Sequence, residues 1–179
     1  CAVPGRVRSV LADLFATPEH PGSDAAQGAI GPDTIAKFLL TSGSTGNPKA
    51  VINTQRMICA NQVMLRETLA FLKDEPPVIV DWLPWNHTFG GNHNFGMVLT
   101  NGGTLYIDEG KPTPALIERT LRNLREIAPT LYFNVPTGFD AIAQAMQQDM
   151  QLRSRFLSRV KMFFYAGASL AQPVWDSMT

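Results

Sequence analysis

Net charge is missing from this chain, because fifteen Lys and Arg residues stand against fifteen Asp and Glu. That balance excludes a broad electrostatic surface for nucleic acid. Charge of either sign is scarce too, at 17% of residues, below the roughly 25% of an average soluble domain. Cysteine is nearly absent. Cys1 and Cys59 cannot build a disulfide framework, and they read as two free thiols in a reducing compartment. No apolar run approaches the roughly 20 residues of a membrane span. A signal peptide is also lacking, since Arg6 and Arg8 lead only to Val10-Leu11-Ala12 before Asp13 breaks the run. These absences point to a cytoplasmic protein. Hydrophobic residues make up 45% of the 179, enough for one compact domain with a real core, and disorder is excluded. The chain does not begin with Met, and it ends at Asp176-Ser177-Met178-Thr179 inside what reads as a helix. Both features suggest a piece of a longer protein.

Apolar spacing predicts the elements. Val7, Val10, Leu11 and Leu14 give a short amphipathic segment within 4–16. Residues 17–33 read as a loop, with Pro18, Pro21, Pro32 and three interspersed glycines. Ile35-Ala36-Lys37-Phe38-Leu39-Leu40 reads as a buried strand, and 54–72 as a helix with Met57, Ile58, Met64, Leu65, Leu69 and Leu72 mostly on one stripe. Strands follow at 78–80 and 104–107, with helical turns near 95–99 between them. A helix capped by Thr113 carries Leu116, Ile117, Leu121, Leu124 and Ile127. Strand 131–133, a helix after Pro136 with Phe139, Ile142 and Met146, strand 160–165 and a last helix from about Ala171 complete the pattern. Alternating strands and helices predict an α/β fold, a mostly parallel sheet flanked by helices. Ligands of such sheets bind beyond the carboxyl ends of strands.

Three unusual loops follow strands. The first is Thr41-Ser42-Gly43-Ser44-Thr45-Gly46-Asn47-Pro48-Lys49. Its glycines let successive N–H groups converge on an anion, its hydroxyls add donors and a Mg²⁺ ligand, and Lys49 adds a full charge. It is not a Walker A loop, because only two residues separate Gly43 from Gly46. The bland alternative, a flexible Ser/Gly turn, does not account for this order of residues directly after a strand. The second loop holds Pro84-Trp85-Asn86-His87-Thr88-Phe89-Gly90-Gly91-Asn92-His93. A histidine among aromatics and glycines fits a pocket wall; a core histidine bonded to backbone is the alternative. The third, Ala166-Gly167-Ala168-Ser169-Leu170, has the small residues that let a flat ring approach the backbone, although tight strand–helix packing needs the same.

The first loop resembles the phosphate loop of the adenylate-forming superfamily: acyl-CoA synthetases, peptide-synthetase adenylation domains and luciferases. Their pattern is Thr-Ser-Gly-Thr/Ser-Thr-Gly-x-Pro-Lys-Gly, and this chain departs only at Ala50. Pro-x-x-His-x-x-Gly at 84–90 is similar to the superfamily's second motif, and 166–170 is looser, with Ala166 for Gly and Ser169 for Pro. The wording of 81–94 looks most like feruloyl-CoA synthetases. The likeness covers roughly 33–179.

That resemblance implies an ATP- and Mg²⁺-dependent acid–CoA ligase, with CoA as co-substrate. The carboxylate attacks the α-phosphate to give acyl-adenylate and pyrophosphate, and the thiol then displaces AMP. Lys49 and His87 take the catalytic roles. Thr41, Ser42, Gly43, Ser44, Thr45 and Gly46 join Lys49 around the phosphates, with Thr41 on the Mg²⁺ side. Gly167, Ala168 and Ser169 border the nucleotide. Trp85, His87, Phe89, Gly90 and Gly91 form the substrate pocket. His93 has no match and is left as a structural or supporting residue. Residues 1–32 are a helix-and-loop segment, and 33–179 the ATP- and acyl-binding part of a truncated N-terminal domain. Its partners are a small carboxylic acid, ATP, CoA and the remaining C-terminal part of the polypeptide, which carries the superfamily's Tyr-Gly-x-Thr-Glu motif and mobile domain. Two alternatives stay open: the 179 residues alone form a non-catalytic scaffold, or the parent loads a carrier protein.

Overall fold

The computed structural model describes residues 11–41 and 47–178. The chain enters through two short helices, α1 (Leu11–Phe15) and α2 (Pro21–Gly28). Helix α2 occupies the stretch expected to be loop. It has no buried residue, so no apolar stripe announces it. Its start is made locally: the His20 ring accepts from Gly22 N at 3.0 Å, and Pro21 supplies a preset first turn.

Strands β1 (Ile35–Thr41) and β2 (Lys49–Thr54) form an antiparallel hairpin. This corrects two expectations. Strand β2 was not anticipated, because Lys49, Asn53 and Thr54 dilute its apolar signal. β1 is also not buried: only Leu39 is, and Phe38 and Leu40 stay exposed. A two-stranded ribbon has two faces, and the chain's own core covers only one side of it. Thr54 then caps α3 (Gln55–Thr68) by accepting from Met57 N at 3.3 Å. The expected stripe is only partly used. Met57 and Met64 are exposed, while Leu65, Leu69 and Leu72 reach the core. The helix stops at Thr68, and Leu72 belongs to a separate 3₁₀ turn, Ala70–Lys73.

Strand β3 (Val78–Asp81) pairs in parallel with β4 (Thr104–Ile107). Between them lie a π-helical turn, Thr88–Phe95, and helix α4 (Gly96–Thr100). Helix α5 begins at Ile117 rather than at Thr113, and the Thr113 carbonyl, not its side chain, accepts from Leu116 N and Ile117 N. It runs to Glu126. Strand β5 (Leu131–Asn134) leads into α6 (Pro136–Gln148) and α7 (Met150–Leu157), where Asp149 caps α7 through Leu152 N at 2.9 Å. Strand β6 (Met162–Tyr165) pairs in parallel with β5, and α8 (Gln172–Met178) follows. The two parallel pairs abut along β3 and β5, where Thr130 N donates to Val78 O and Val78 N to Thr130 Oγ1, both at 2.9 Å. The α/β class therefore holds, with the hairpin as its antiparallel departure.

Strand alternation sorts the core onto two faces. Val80 and Tyr132 pack with Leu124, Phe139, Ile142 and Phe156 under the C-terminal helices. Ile79, Leu131 and Phe133 pack with Leu72, Met97 and Val98 on the other side. Among the described residues no helix is long and apolar enough to cross a membrane. Cys59 is an exposed free thiol, and Cys1 lies outside the described residues.

Asp81 ends β3 inside this core, 4% exposed. Burial pushes its carboxyl up from 3.8 to about 6, against the opposing bond from Leu83 N and the nearby Asn94 amide. The folded chain thus holds a proton between pH about 4 and 6 that the unfolded chain has released. Stability is highest below this window, falls as pH rises through it and levels off above. Asp81→Asn should flatten the fall, worth about 3 kcal/mol for about two units. Melting temperature measured from pH 4 to 7 reads this directly; an unchanged slope in the variant would place the titration elsewhere.

Candidate functional site

The hairpin register sets Thr41 directly opposite Lys49. The Thr41 hydroxyl donates to Lys49 O at 3.4 Å, closing the base of the first loop. Ser42, Gly43, Ser44, Thr45 and Gly46 lie outside the described residues. Lys49 is exposed, and among the described residues it forms no ion pair. Strand alternation puts it on the same face as Val51 and Asn53. That face borders a cleft of about 230 Å³, closed on its far side by Asn86, His87 and Thr88. Asn92 Nδ2 ties the two walls by donating to Asn53 Oδ1 at 2.8 Å.

The second loop does not run open to Gly91 as expected. After Pro84 it folds back into the π-helical turn Thr88–Phe95. His87 caps that turn, with Nδ1 accepting from Phe89 N at 3.2 Å. A side chain on Gly90 would meet Pro84 O at 2.6 Å and Leu83 O at 2.7 Å, and one on Gly91 would collide with Trp85 O. Both glycines are buried against their own loop's backbone, which is where the structure places these two pocket candidates. Trp85 also turns away, 48% exposed, with its ring 4.9 Å from that of Phe95.

His87 and Phe89 do come together with the third loop. With Leu83, Thr88, His93 and Gly167 they line a groove of about 440 Å³ beyond the carboxyl ends of β5 and β6. Gly167 takes φ +100°, a conformation strained for any other residue. Ala168 and Ser169 are exposed on the same loop, outside the groove's lining. His87 and Thr88 border both cavities, so groove and cleft meet there. Thr41 at the base of the first loop thus meets the second loop at the cleft, and the second meets the third at the groove.

His93 is the residue that sequence reasoning passed over. Its ring lies 5.4 Å from Phe164, nearly parallel, and 5.1 Å from Phe133, edge-on. Phe89 completes this cluster of four rings. Burial pushes the imidazole below its usual value, opposed by its bond with Asn94. The available signal was a second histidine six residues after the first across a Gly-Gly pair, but helical spacing of 3.6 does not bring such positions to one groove. A wide turn does. Among the described residues no three His, Cys, Asp or Glu side chains cluster to hold a metal.

Residues 6–179 match the family described as AMP-binding enzyme. This chain belongs to that family. The AMP-binding chain is 28% identical over 151 residues to a carboxylic acid reductase of Mycobacterium marinum, spanning 82% of this chain and 12% of that protein. It is 28% identical over 137 residues to an acyl-CoA ligase of Penicillium expansum, spanning 75% and 27%. Its fold matches a malonyl-CoA ligase with methylmalonyl-CoA and AMP bound, with TM-score 0.69, 22% identity, and 83% of this chain against 30% of that one. It also matches an O-succinylbenzoate coenzyme A synthetase from Bacillus subtilis in complex with AMP, with TM-score 0.64, 19% identity, 82% and 28% covered. The AMP-binding chain therefore spans less than a third of the length of each of these relatives.

The turn's close backbone contact gives a direct test. Gly91→Ala should cost about 3 kcal/mol, as overpacking against backbone that cannot retreat. Gly28→Ala, where nothing lies within 4 Å, should leave stability unchanged or slightly raised. Urea unfolding midpoints compare the two; equal midpoints would mean that the turn is not held by that contact.

Proposed function

We propose that this chain carries the nucleotide- and acid-binding loops of an ATP-dependent acid–CoA ligase, whose substrate is an aromatic hydroxy acid of the hydroxycinnamate type such as ferulate. The observation that carries the reading is the meeting of the two cavities at His87, with Thr41, the register partner of Lys49, bordering one and an aromatic-floored groove forming the other. Residues 33–179 supply both parts, and 1–32 lead into them.

The donor set fits a polyphosphate. Lys49 offers a full positive charge on a strand whose register is held by six partner pairs, and it neutralises charge on the departing pyrophosphate. By sequence, Ser42, Ser44 and Thr45 would supply further hydroxyl donors to the same phosphates. Thr41 would be the protein's ligand to Mg²⁺, a hard ion that takes its other oxygens from phosphate and water. When bound, the ion spreads phosphate charge and orients the triphosphate. His87 accepts at Nδ1, so its ring proton sits on Nε2, where it can donate to the acid's carboxylate at the junction. Gly167 lets the third loop curl beside the groove, and Ala168 and Ser169 present a small surface for the nucleotide's flat ring. Phe89 lies on the groove floor, whereas Gly90, Gly91 and Trp85 act by shaping the turn.

The named relatives act on different acids, so the choice of an aromatic one rests on the ring-lined groove and on the wording of 81–94. Pyrophosphate exchange tests the reading in the full-length polypeptide. Lys49→Ala should slow acid-dependent exchange by about a hundredfold, in the range found for removing one transition-state donor, with circular dichroism and melting temperature unchanged. Near-normal exchange by that variant would remove Lys49 from the phosphate site.

A further inference from the structure

Two histidines border the groove, and their hydrogen bonds put their protons on opposite nitrogens. His87 accepts at Nδ1 and therefore presents Nε2–H. His93 is held the other way. Its Nδ1 lies 2.8 Å from Asn94 Oδ1. Asn94 is fully buried, and its Nδ2 makes no bond of its own, as is also true of Asp81 Oδ2. Asn94 Oδ1 is the atom that meets the histidine. An oxygen can only accept, so His93 Nδ1 carries the proton and Nε2 keeps a lone pair. Among the described residues Nε2 has no hydrogen-bond partner.

The placement of the two rings differs as well. His87 is exposed at the junction with the Lys49-side cleft. His93 is half-buried on the floor, over Phe133, which is 1% exposed, and beside Phe164. A molecule in the groove therefore meets a donor from His87 and an acceptor from His93, with aromatic faces beside them. We propose that His93 is a specificity-determining residue, its Nε2 accepting a hydrogen bond from a hydroxyl on the ring end of the acid. The inference rests on the ligase reading above and deepens it. Stacking alone would favour any flat acid; an unpaired acceptor on an apolar floor also disfavours an acid that leaves it unpaired. Asn94 acts through His93, as a positioning residue.

The test compares 4-hydroxycinnamate with cinnamate in pyrophosphate exchange by the full-length polypeptide. The wild type should prefer the hydroxylated acid by about tenfold in kcat/KM, the value of one well-formed neutral hydrogen bond. His93→Phe keeps an aromatic ring in the cluster and removes the acceptor. It should bring the ratio to about one, mainly through KM for 4-hydroxycinnamate, with cinnamate turnover retained. A ratio that survives in His93→Phe overturns the proposal, and so does equal use of both acids by the wild type; either result leaves the ligase reading standing. Exchange with no acid at all overturns both. A ¹⁵N spectrum of the wild type supplies a readout independent of turnover: His93 should show protonated Nδ1 and bare Nε2, and the opposite tautomer would overturn the assignment.

Discussion

The site depends on one steric constraint, the contact of two glycines with the backbone that precedes them. Gly90 and Gly91 sit where a Cβ would strike the carbonyls of residues 83–85. Only because that space is empty can the chain after Pro84 fold back into a wide turn. The turn then does three things at once. It uses His87 as its cap, it sends Phe89 and His93 to the groove, and it buries Asn94 beside Asp81. Gln62 on α3 packs over Gly96 at the end of the same turn, which anchors it to the helix behind.

The floor beneath the turn is set by strand alternation. Phe133 and Phe164 are register partners on adjacent parallel strands, so their rings lie side by side on one face. Tyr132 and Phe163 point to the other face and pack among Phe139 and Phe156. One residue of slip in either strand would exchange these sets, removing the groove floor and the opposite core together. The buried Asn134 resists such a slip. It accepts from Val135 N and Trp82 Nε1 and donates to the Tyr132 hydroxyl, and Gly138 leaves the room that its side chain needs.

Asp81 ends β3 and Asp108 directly follows β4, and these two buried carboxyls behave differently. Asp108 receives Thr120 Oγ1 at 2.6 Å, Gly110 N at 2.8 Å and Asn123 Nδ2 at 2.9 Å, so both of its oxygens have donors. Asp81 has Leu83 N on one oxygen and no bonded partner on the other. Desolvation therefore dominates at Asp81. The hydrogen bond between His93 and the buried Asn94 ties the groove floor to the core.

The sequence by itself determined the class of the fold, the central strands and the loops on which the proposed function rests. Apolar runs and helical stripes are local signals, and Ile79, Leu124, Phe139 and Ile142 are buried where those signals put them. The order Thr41 to Lys49 was specific enough to point to the family that residues 6–179 then matched. Helix α2 and strand β2 escaped because a histidine cap and a polar-diluted ribbon leave no periodicity to read. Which residues of the second loop line the groove was decided only in three dimensions. Gly90, Gly91 and Trp85 looked like pocket wall and became the frame of the turn, whereas His93 looked incidental and lies on the floor. The physical reason is that a wide turn breaks the spacing rules from which a side chain's direction is inferred, and the contact that makes it wide is between backbone atoms, which carry no residue-specific pattern.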